Sequence, residues 1–400
     1  MNLKILVYGF FFMIFAISCK EQISDQELLT PQAAGLKAAT IGTYFVSPTG
    51  SNSNPGTESL PFLTIQKAAN VAVAGDVVIV EDGIYNWTNS SAHMTVLSKS
   101  GTSSAYITFK ARNIGGAILD GNNNSGLTAF SFYPGTSYIN ISGFEIKGFQ
   151  SQGIEVRNGA SYLNFSDLHI HDIGRGSHAT GDGKTAFILG TGSNIVIERC
   201  LIHTIGAYAP EENGSSYPAG WTGYQTLDHG IYIAGTSHLT IRNNVFYDCK
   251  SGFAIQFYSG DGNASSYVDI INNTFENGNP WQNGGHITLC NTMSNILIAN
   301  NIFKDHYSYA INVLNYGYTY SNVTVTKNMT SGGNGHIITG ATSGMTTTGN
   351  YDSTDPLFTN ESAHDYSLRP NSPAINTGYN TGISTDYFNN VRKTNNIGAL

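Results

Sequence analysis

Leu239-Thr-Ile-Arg-Asn-Asn-Val-Phe-Tyr247, Val268-Asp-Ile-Ile-Asn-Asn-Thr-Phe-Glu276 and Ile296-Leu-Ile-Ala-Asn-Asn-Ile-Phe-Lys304 are one nine-residue phrase written three times. Each is apolar at alternate positions, turns at an Asn-Asn pair and then resumes. Toward the N-terminus the phrase recurs without the Asn pair, as Ile139-Asn-Ile-Ser-Gly-Phe-Glu-Ile-Lys147, Leu163-Asn-Phe-Ser-Asp-Leu-His-Ile-His171 and Ile195-Val-Ile-Glu-Arg-Cys-Leu-Ile-His203. After each comes a loop of varying length and a second short strand. These strands are Gly153–Val156, Ala186–Leu189, Gly230–Ile233, Gly252–Ile255, His286–Leu289 and Ala310–Val313. Period-two alternation marks half-buried strands, and self-similarity at a steady period marks a solenoid. One coil takes roughly twenty-five residues or more, and successive coils stack about 4.8 Å apart. The expectation is an all-β chain folded as a right-handed parallel β-helix. Asn243/Asn244, Asn272/Asn273 and Asn300/Asn301 should form an amide ladder along one corner, a structural feature with no catalytic role.

Composition agrees with this reading. The 400 residues include 45 Gly and 23 Tyr, and only 12% are charged. A solenoid of this length folds as one unit. The formal net charge of −8, with no basic stripe, argues against a nucleic-acid partner. Cys200, Cys249 and Cys290 are too widely spaced for a disulfide framework or a zinc site and read as buried thiols.

The N-terminus reads as an address. Lys4 precedes an apolar run, Ile5 to Ile17, of signal-peptide length, which ends in Ala16-Ile17-Ser18-Cys19. This resembles a bacterial lipobox, which implies cleavage after residue 18 and lipidation of Cys19. The alternative is an ordinary secretory leader with an incidental cysteine. Residues 1–18 are thus expected to be the leader and 19–41 a polar tether. The β-helix is expected over 42–348 and a closing segment over 349–400. An exported, monomeric protein held to the outer membrane or cell surface is expected, or a periplasmic or secreted one without the anchor.

Both ends of the main body carry a resemblance. Tyr44-Phe-Val-Ser-Pro-Thr-Gly50, Asn54-Pro-Gly56 and Pro61-Phe-Leu-Thr-Ile-Gln-Lys-Ala-Ala69 lead into Gly75-Asp-Val-Val-Ile-Val-Glu-Asp-Gly-Ile-Tyr85. At the other end stand Asp355-Pro-Leu-Phe358, Tyr366-Ser-Leu-Arg-Pro-Asn-Ser-Pro-Ala-Ile375 and Asn396-Ile-Gly-Ala399. These are similar to the N-terminal cap, first coil and closing segment of secreted β-helix proteins of the pectate lyase-like and chondroitinase B-like superfamily. The resemblance implies a capping helix around Ile65–Val71 over the open end. It is specific for architecture and not for reaction, since one fold hosts many chemistries.

Function is therefore sought where the repeat is broken. Three neighbouring coils carry insertions in the same turn, residues 173–183, 206–227 and 277–284. Insertions on one side of a solenoid build its binding face. The second holds Tyr208, Tyr217, Trp221 and Tyr224 and the third holds Trp281, flat apolar rings suited to sugars; packing within their own loops is the alternative. Aligning the coils places Ser151, Lys184, Asp228, Lys250 and Ser308 in one column just before the second strand. Gln152, Thr185, His229 and Ser251 come next, and Lys147, His171, His203, Tyr247, Glu276 and Lys304 end the first strand. Arg175 and His178 lie in the first insertion, Tyr232 points outward after His229, and Gln256 and Tyr258 occupy the neighbouring turn. A solvated interstrand charge ladder would produce the same Lys–Asp–Lys pattern.

These groups fit eliminative cleavage of a uronic-acid polysaccharide. That reaction needs a base for the proton α to the carboxyl group, stabilisation of the enolate, and an acid for the leaving oxygen. Lys184 or Lys250 is the candidate base, Arg175 the partner of the carboxylate, and His229 or Tyr232 the acid, with His203 beside them. His171, Gln256, Tyr258 and the loop aromatics are candidate substrate contacts. Calcium could replace Arg175, with Asp182 and Asp228 as ligands. C5-epimerisation shares the first half of this chemistry. An inverting glycoside hydrolase would need paired carboxylates, drawn from Asp182, Asp228 and Asp248. A non-catalytic glycan binder would need none of these groups.

Overall fold

The computed structural model describes residues 42–400 apart from 89–91, 124, 176–182, 208–226, 259, 279–284, 315, 334, 340–342 and 393. Each coil visits three parallel sheets in the same order. Sheet 1 has eleven strands, from Thr43–Val46 to Met345–Thr348. Sheet 2 has nine, from Gly83–Asn86 to Met329–Ser331, and sheet 3 has nine, from His93–Leu97 to His336–Thr339. This is the right-handed parallel β-helix expected from the repeat.

The repeated phrase supplies two strands rather than one. Ser237–Arg242 lies in sheet 1 and Val245–Tyr247 in sheet 2, with Asn243-Asn244 making the corner. Asn243, Asn272 and Asn300 adopt φ of 53°, 54° and 57°, the left-handed region that Asn tolerates better than most residues. The second Asn of each pair turns inward. Asn244 Nδ2 donates to Asn273 Oδ1 at 3.0 Å, Asn273 Nδ2 to Asn301 Oδ1 at 3.0 Å, and Asn301 Nδ2 to Asn328 Oδ1 at 2.9 Å. The expected ladder therefore exists and extends through Asn328 to Asn350.

Inside, Phe246, Phe275 and Phe303 stack coil upon coil, with ring centroids 4.8 and 4.9 Å apart, close to the spacing of hydrogen-bonded strands. The helix Ile65–Val71 forms where the resemblance implied. Thr64 caps it by accepting from Lys67 N at 3.2 Å, and Ile65, Ala68 and Ala69 are buried. At the other end the chain doubles back. Phe358, Tyr366, Ala374, Ile397 and Ala399 pack on Val245, Ile302 and Met329, which belong to sheet 2 strands. Backbone carbonyls of Tyr379, Thr385 and Asn396 accept from the outer asparagines Asn300, Asn243 and Asn272. The outer members of the Asn pairs thus tie down the C-terminal segment.

One strand differs from its expected position. The register pairs Ile231 with Ile255, Tyr232 with Gln256 and Ile233 with Phe257, so the sheet 3 strand is Ile255–Tyr258 rather than Gly252–Ile255. The turn that precedes it, after Tyr247, is correspondingly longer.

Candidate functional site

The corner between sheets 2 and 3 is where coils differ most in length. Tyr208, Trp221, Tyr224, Trp281, Asp182 and His178 lie outside the described residues, as does Cys19. The roots of the first two insertions are described, and Asp228 joins them. Its Oδ1 accepts from Lys184 N at 2.8 Å and its Oδ2 from Ala207 N at 3.0 Å. Gly206 at φ +94° makes this approach feasible, because a Cβ there would lie 2.4 Å from Asp228 Cβ. Arg175 Nη1 donates to the carbonyls of Gly206 and Ala207 at 2.9 and 3.3 Å, and Ser251 Oγ donates to Ala207 O at 2.9 Å. Arg175, Lys184 and Asp228 are all buried. Burial pushes the Asp228 carboxyl up to about 6, against the pull of its two amide donors and of Lys184 and Arg175. Asp228 is thus occupied as a clamp on two loop roots. With both oxygens on backbone amides it makes a poor calcium ligand.

The strand shift moves two expected column members. Asp228 stands across from Gly252, and Lys250 lies two residues earlier in the turn, where its Nζ is 3.6 Å from Asp248 Oδ1. Lys184 and Asp228 are in register, but Lys250 does not continue their column. Ser251 likewise does not follow His229, whose neighbour in register is Phe253. His229 itself is only 2% exposed. Its Nδ1 accepts from Phe253 N at 3.1 Å, and its ring stacks on that of Phe253 at 5.8 Å. Burial drives its pKa down to about 3. His229 is a neutral, enclosed ring and not a solvent-facing acid.

Tyr232, Gln256 and Thr288 line up on consecutive sheet 3 strands, and Tyr258 pairs with Cys290 beside them. Tyr232 is half-buried, and its hydroxyl is held protonated by burial and then by the neighbouring Tyr258. Gln256 Oε1 and Thr288 Oγ1 are buried without a hydrogen-bond partner among the described residues. Unmatched buried polar atoms are uncommon and call for an explanation.

On the outer face of sheet 2, Lys147, His171, His203 and Tyr247 are in register, as expected. The rings of His171 and His203 stack at 4.9 Å, His203 and Tyr247 at 4.3 Å, and Tyr247 and His364 at 4.0 Å. His169, which the sequence reading passed over, belongs to this group, with its Nε2 2.8 Å from His203 Nε2. The signal was present in His169-x-His171, since alternate residues of a strand share a face. A further surface was also passed over. Tyr106, Tyr162, His238 and Tyr267 border a groove of about 530 Å³ on sheet 1, floored by Asn164, Val196, Thr240 and Asp269.

Residues 44–294 match the family described as the Pel9A-like, right-handed beta helix region. The chain belongs to this family. Among solved structures, the Pel9A-like chain is similar to pectate lyase Pel9A, with a TM-score of 0.58 and 16% identity over 90% of this chain and 96% of that one. It is also similar to a protein titled ORF18 of Geobacillus virus E2, with a TM-score of 0.53 and 14% identity over 78% and 58% of the two chains. A glycoside hydrolase aligns at a TM-score of 0.50 and 10% identity over 82% and 99%. The uncharacterized protein YwoF of Bacillus subtilis (strain 168) is 24% identical, over 83% of this chain and 92% of that protein. Such likenesses show the fold that these proteins share.

Proposed function

We propose that this Pel9A-like protein is an exported polysaccharide lyase that cleaves a uronic-acid polymer by β-elimination at the corner between sheets 2 and 3. The observation that carries this reading is the convergence of Lys184, Arg175 and Asp228 at the roots of two adjacent insertions. It stands in a family described as Pel9A-like, and the solved structure titled Pel9A is a pectate lyase. Lys184 is the base. Its backbone is pinned by Asp228, so the side chain starts from a fixed point, which is what a positioned base requires. Tyr232 replaces His229 as the acid, because its hydroxyl keeps its proton and is less enclosed. Arg175 fixes the base of the long loop through its carbonyl bonds, and Lys250, in the turn before the strand Ile255–Tyr258, is the cation for the substrate carboxylate. The half-buried Gln256, beside Tyr232 on the next coil, offers its side-chain amide to sugar hydroxyls. Export through the leader and anchoring through Cys19 belong to the same reading.

The test is absorbance in the unsaturated-uronate band during incubation with pectate, then alginate, glycosaminoglycans and ulvan. A rise with one polymer, reduced about a hundredfold in turnover in Lys184→Ala, is the expected result for loss of a general base. Reducing ends without absorbance would indicate hydrolysis. No change with any polymer would favour a glycan-binding surface protein. The epimerase variant would show C5 inversion without chain cleavage.

A further inference from the structure

The histidine cluster on sheet 2 plays no part in that reading, and its geometry is that of a ligand set. His169 and His171 project from one face of one strand, and His203 stands in register with His171 on the next coil. One ligating nitrogen from each of the three lies within 4.8 Å of the others. His171 Nε2 is 3.3 Å from Glu145 Oε1, on the preceding coil. The far sides of two rings are also held. His171 Nδ1 meets Asp172 Oδ2 at 2.8 Å, and His203 Nδ1 meets Thr204 Oγ1 at 2.8 Å. A partner on Nδ1 keeps the proton there and turns the Nε2 lone pair toward the cluster, the arrangement found around metal-bound histidines.

Thr204 carries a second, independent argument. It stands one residue before the end of the sheet 2 strand Leu201–Ile205 at φ +55°, and the equivalent residue of the preceding coil is Asp172 at φ +52°. The other residues that leave sheet 2 with positive φ include Gly148, Asp248, Asn277 and Gly332, all of types that tolerate the left-handed region. A β-branched residue is a strained choice there. What Thr204 gains in return is the hydroxyl that holds His203.

We infer that His169, His171 and His203, with Glu145 as fourth ligand, form a binding site for a divalent transition metal of the zinc class. Three imidazoles and one carboxylate match the tetrahedral preference and donor set of zinc or cobalt, whereas calcium takes oxygen ligands almost entirely. Burial and the charge of His171 hold His169 down to about 4, and burial with the same neighbour holds His203 to about 3. Both rings therefore keep their lone pairs free of protons at neutral pH. All three are only partly covered, so an ion can enter from solvent. On metal binding, the proton that His169 shares with His203 passes to His169 Nδ1, so both rings stay neutral imidazoles, and Glu145 exchanges its contact with Lys147 Nζ, now at 3.2 Å, for the ion.

The test uses the purified full chain, stripped with a chelator and titrated with Co²⁺. A visible absorption spectrum of tetrahedral type should saturate at one equivalent per chain, be displaced by Zn²⁺ and be unaffected by Ca²⁺. His203→Ala should weaken Co²⁺ binding by about a hundredfold. Thr204→Gly should weaken it by about tenfold, the usual scale for an outer-shell partner, with a Tm equal to or above that of the wild type. That combination separates an orienting role from a merely structural one. His238→Ala, on sheet 1, should bind as the wild type does. Only the weak spectrum of the hydrated ion at every ratio, or wild-type affinity in His203→Ala, would overturn the site. Should His203→Ala not fold, the wild-type spectrum and Thr204→Gly still decide the matter.

Discussion

The corner between sheets 1 and 2 and the corner between sheets 2 and 3 are built from the same chain in the same coils, yet they follow opposite rules. At the first, Asn244, Asn273, Asn301, Asn328 and Asn350 repeat one neutral amide contact from coil to coil. At the second, turn lengths vary and the contacts are singular: a buried carboxylate, an arginine on carbonyls, a histidine stacked on a phenylalanine. A repeated contact can be extended or copied without new design, as in other solenoids. A singular one has to be satisfied locally, and it is where the fold can hold chemistry. The ladder itself is uncharged, although the same corner carries the ion pairs of Asp167, Glu198, Arg199 and Arg242. The buried titratable groups Asp228 and His229 stand at the variable corner.

The largest expected effect is acid sensitivity confined to the variable side. Burial pushes His229 and His286 down to about 3, and burial with His171 does the same to His203. A histidine whose folded pKa lies below its unfolded value contributes fully above about pH 6.5. That contribution is lost as pH falls toward the folded pKa. Between pH 6.5 and 5 this amounts to about 2 kcal/mol for each such ring. Urea midpoints should therefore fall steeply below pH 6.5, with hydrogen exchange rising first around residues 229, 253 and 286. The ladder amides should exchange last. Simultaneous loss of protection at both corners would break the comparison.

The next effect belongs to the ladder. Asn273 accepts from Asn244 N at 2.9 Å and donates to Ile241 O at 2.9 Å as well as to Asn301. Asn273→Ala leaves several buried polar groups unmatched, at a cost of about 3 kcal/mol. The loss, read from denaturant unfolding, should be the same at pH 5 and pH 8, because no amide titrates. A pH-dependent loss would mean that the two corners are coupled.

The same contrast explains what could be read from the sequence. The phrase around Asn243-Asn244 repeats, so the ladder, the alternation and the capping helix at Ile65–Val71 were all legible. Register failed at Lys250, where the turn after Tyr247 adds residues that no repeat records. His229 was a candidate acid, but Phe253, which the misplaced strand hid, encloses its ring. Asp228 looked like a member of a charge ladder, but its bonds run to backbone amides, which a sequence does not display. His169 was readable by parity alone, standing two residues before His171 on the same strand face.

The smallest expected effect on stability has the most to say about the variable corner, and it comes from Asp228→Asn. The folded protein raises the Asp228 carboxyl from about 3.8 to about 6 through burial. An acid shifted upward stabilises the fold below its unfolded pKa, and that contribution is lost as pH rises from 4 through 6. At pH 7 the wild type therefore carries a buried charge that asparagine lacks. Asparagine, however, can accept only one of the two N–H groups of Lys184 and Ala207 and presents its own NH₂ to the other, costing about 1–3 kcal/mol. The two effects oppose each other, so global stability at pH 7 should change by no more than about 1 kcal/mol. Between pH 6 and 4 the wild type should gain on the variant as Asp228 takes up its proton. Locally the result should be plain: exchange at the Ala207 or Lys184 amide rises while the ladder amides are unmoved. If the roots of the insertions position Lys184, turnover on the cleaved polymer should fall although the fold barely notices. Wild-type turnover with an unprotected Ala207 amide would instead show that the loop roots do not set the geometry of the base.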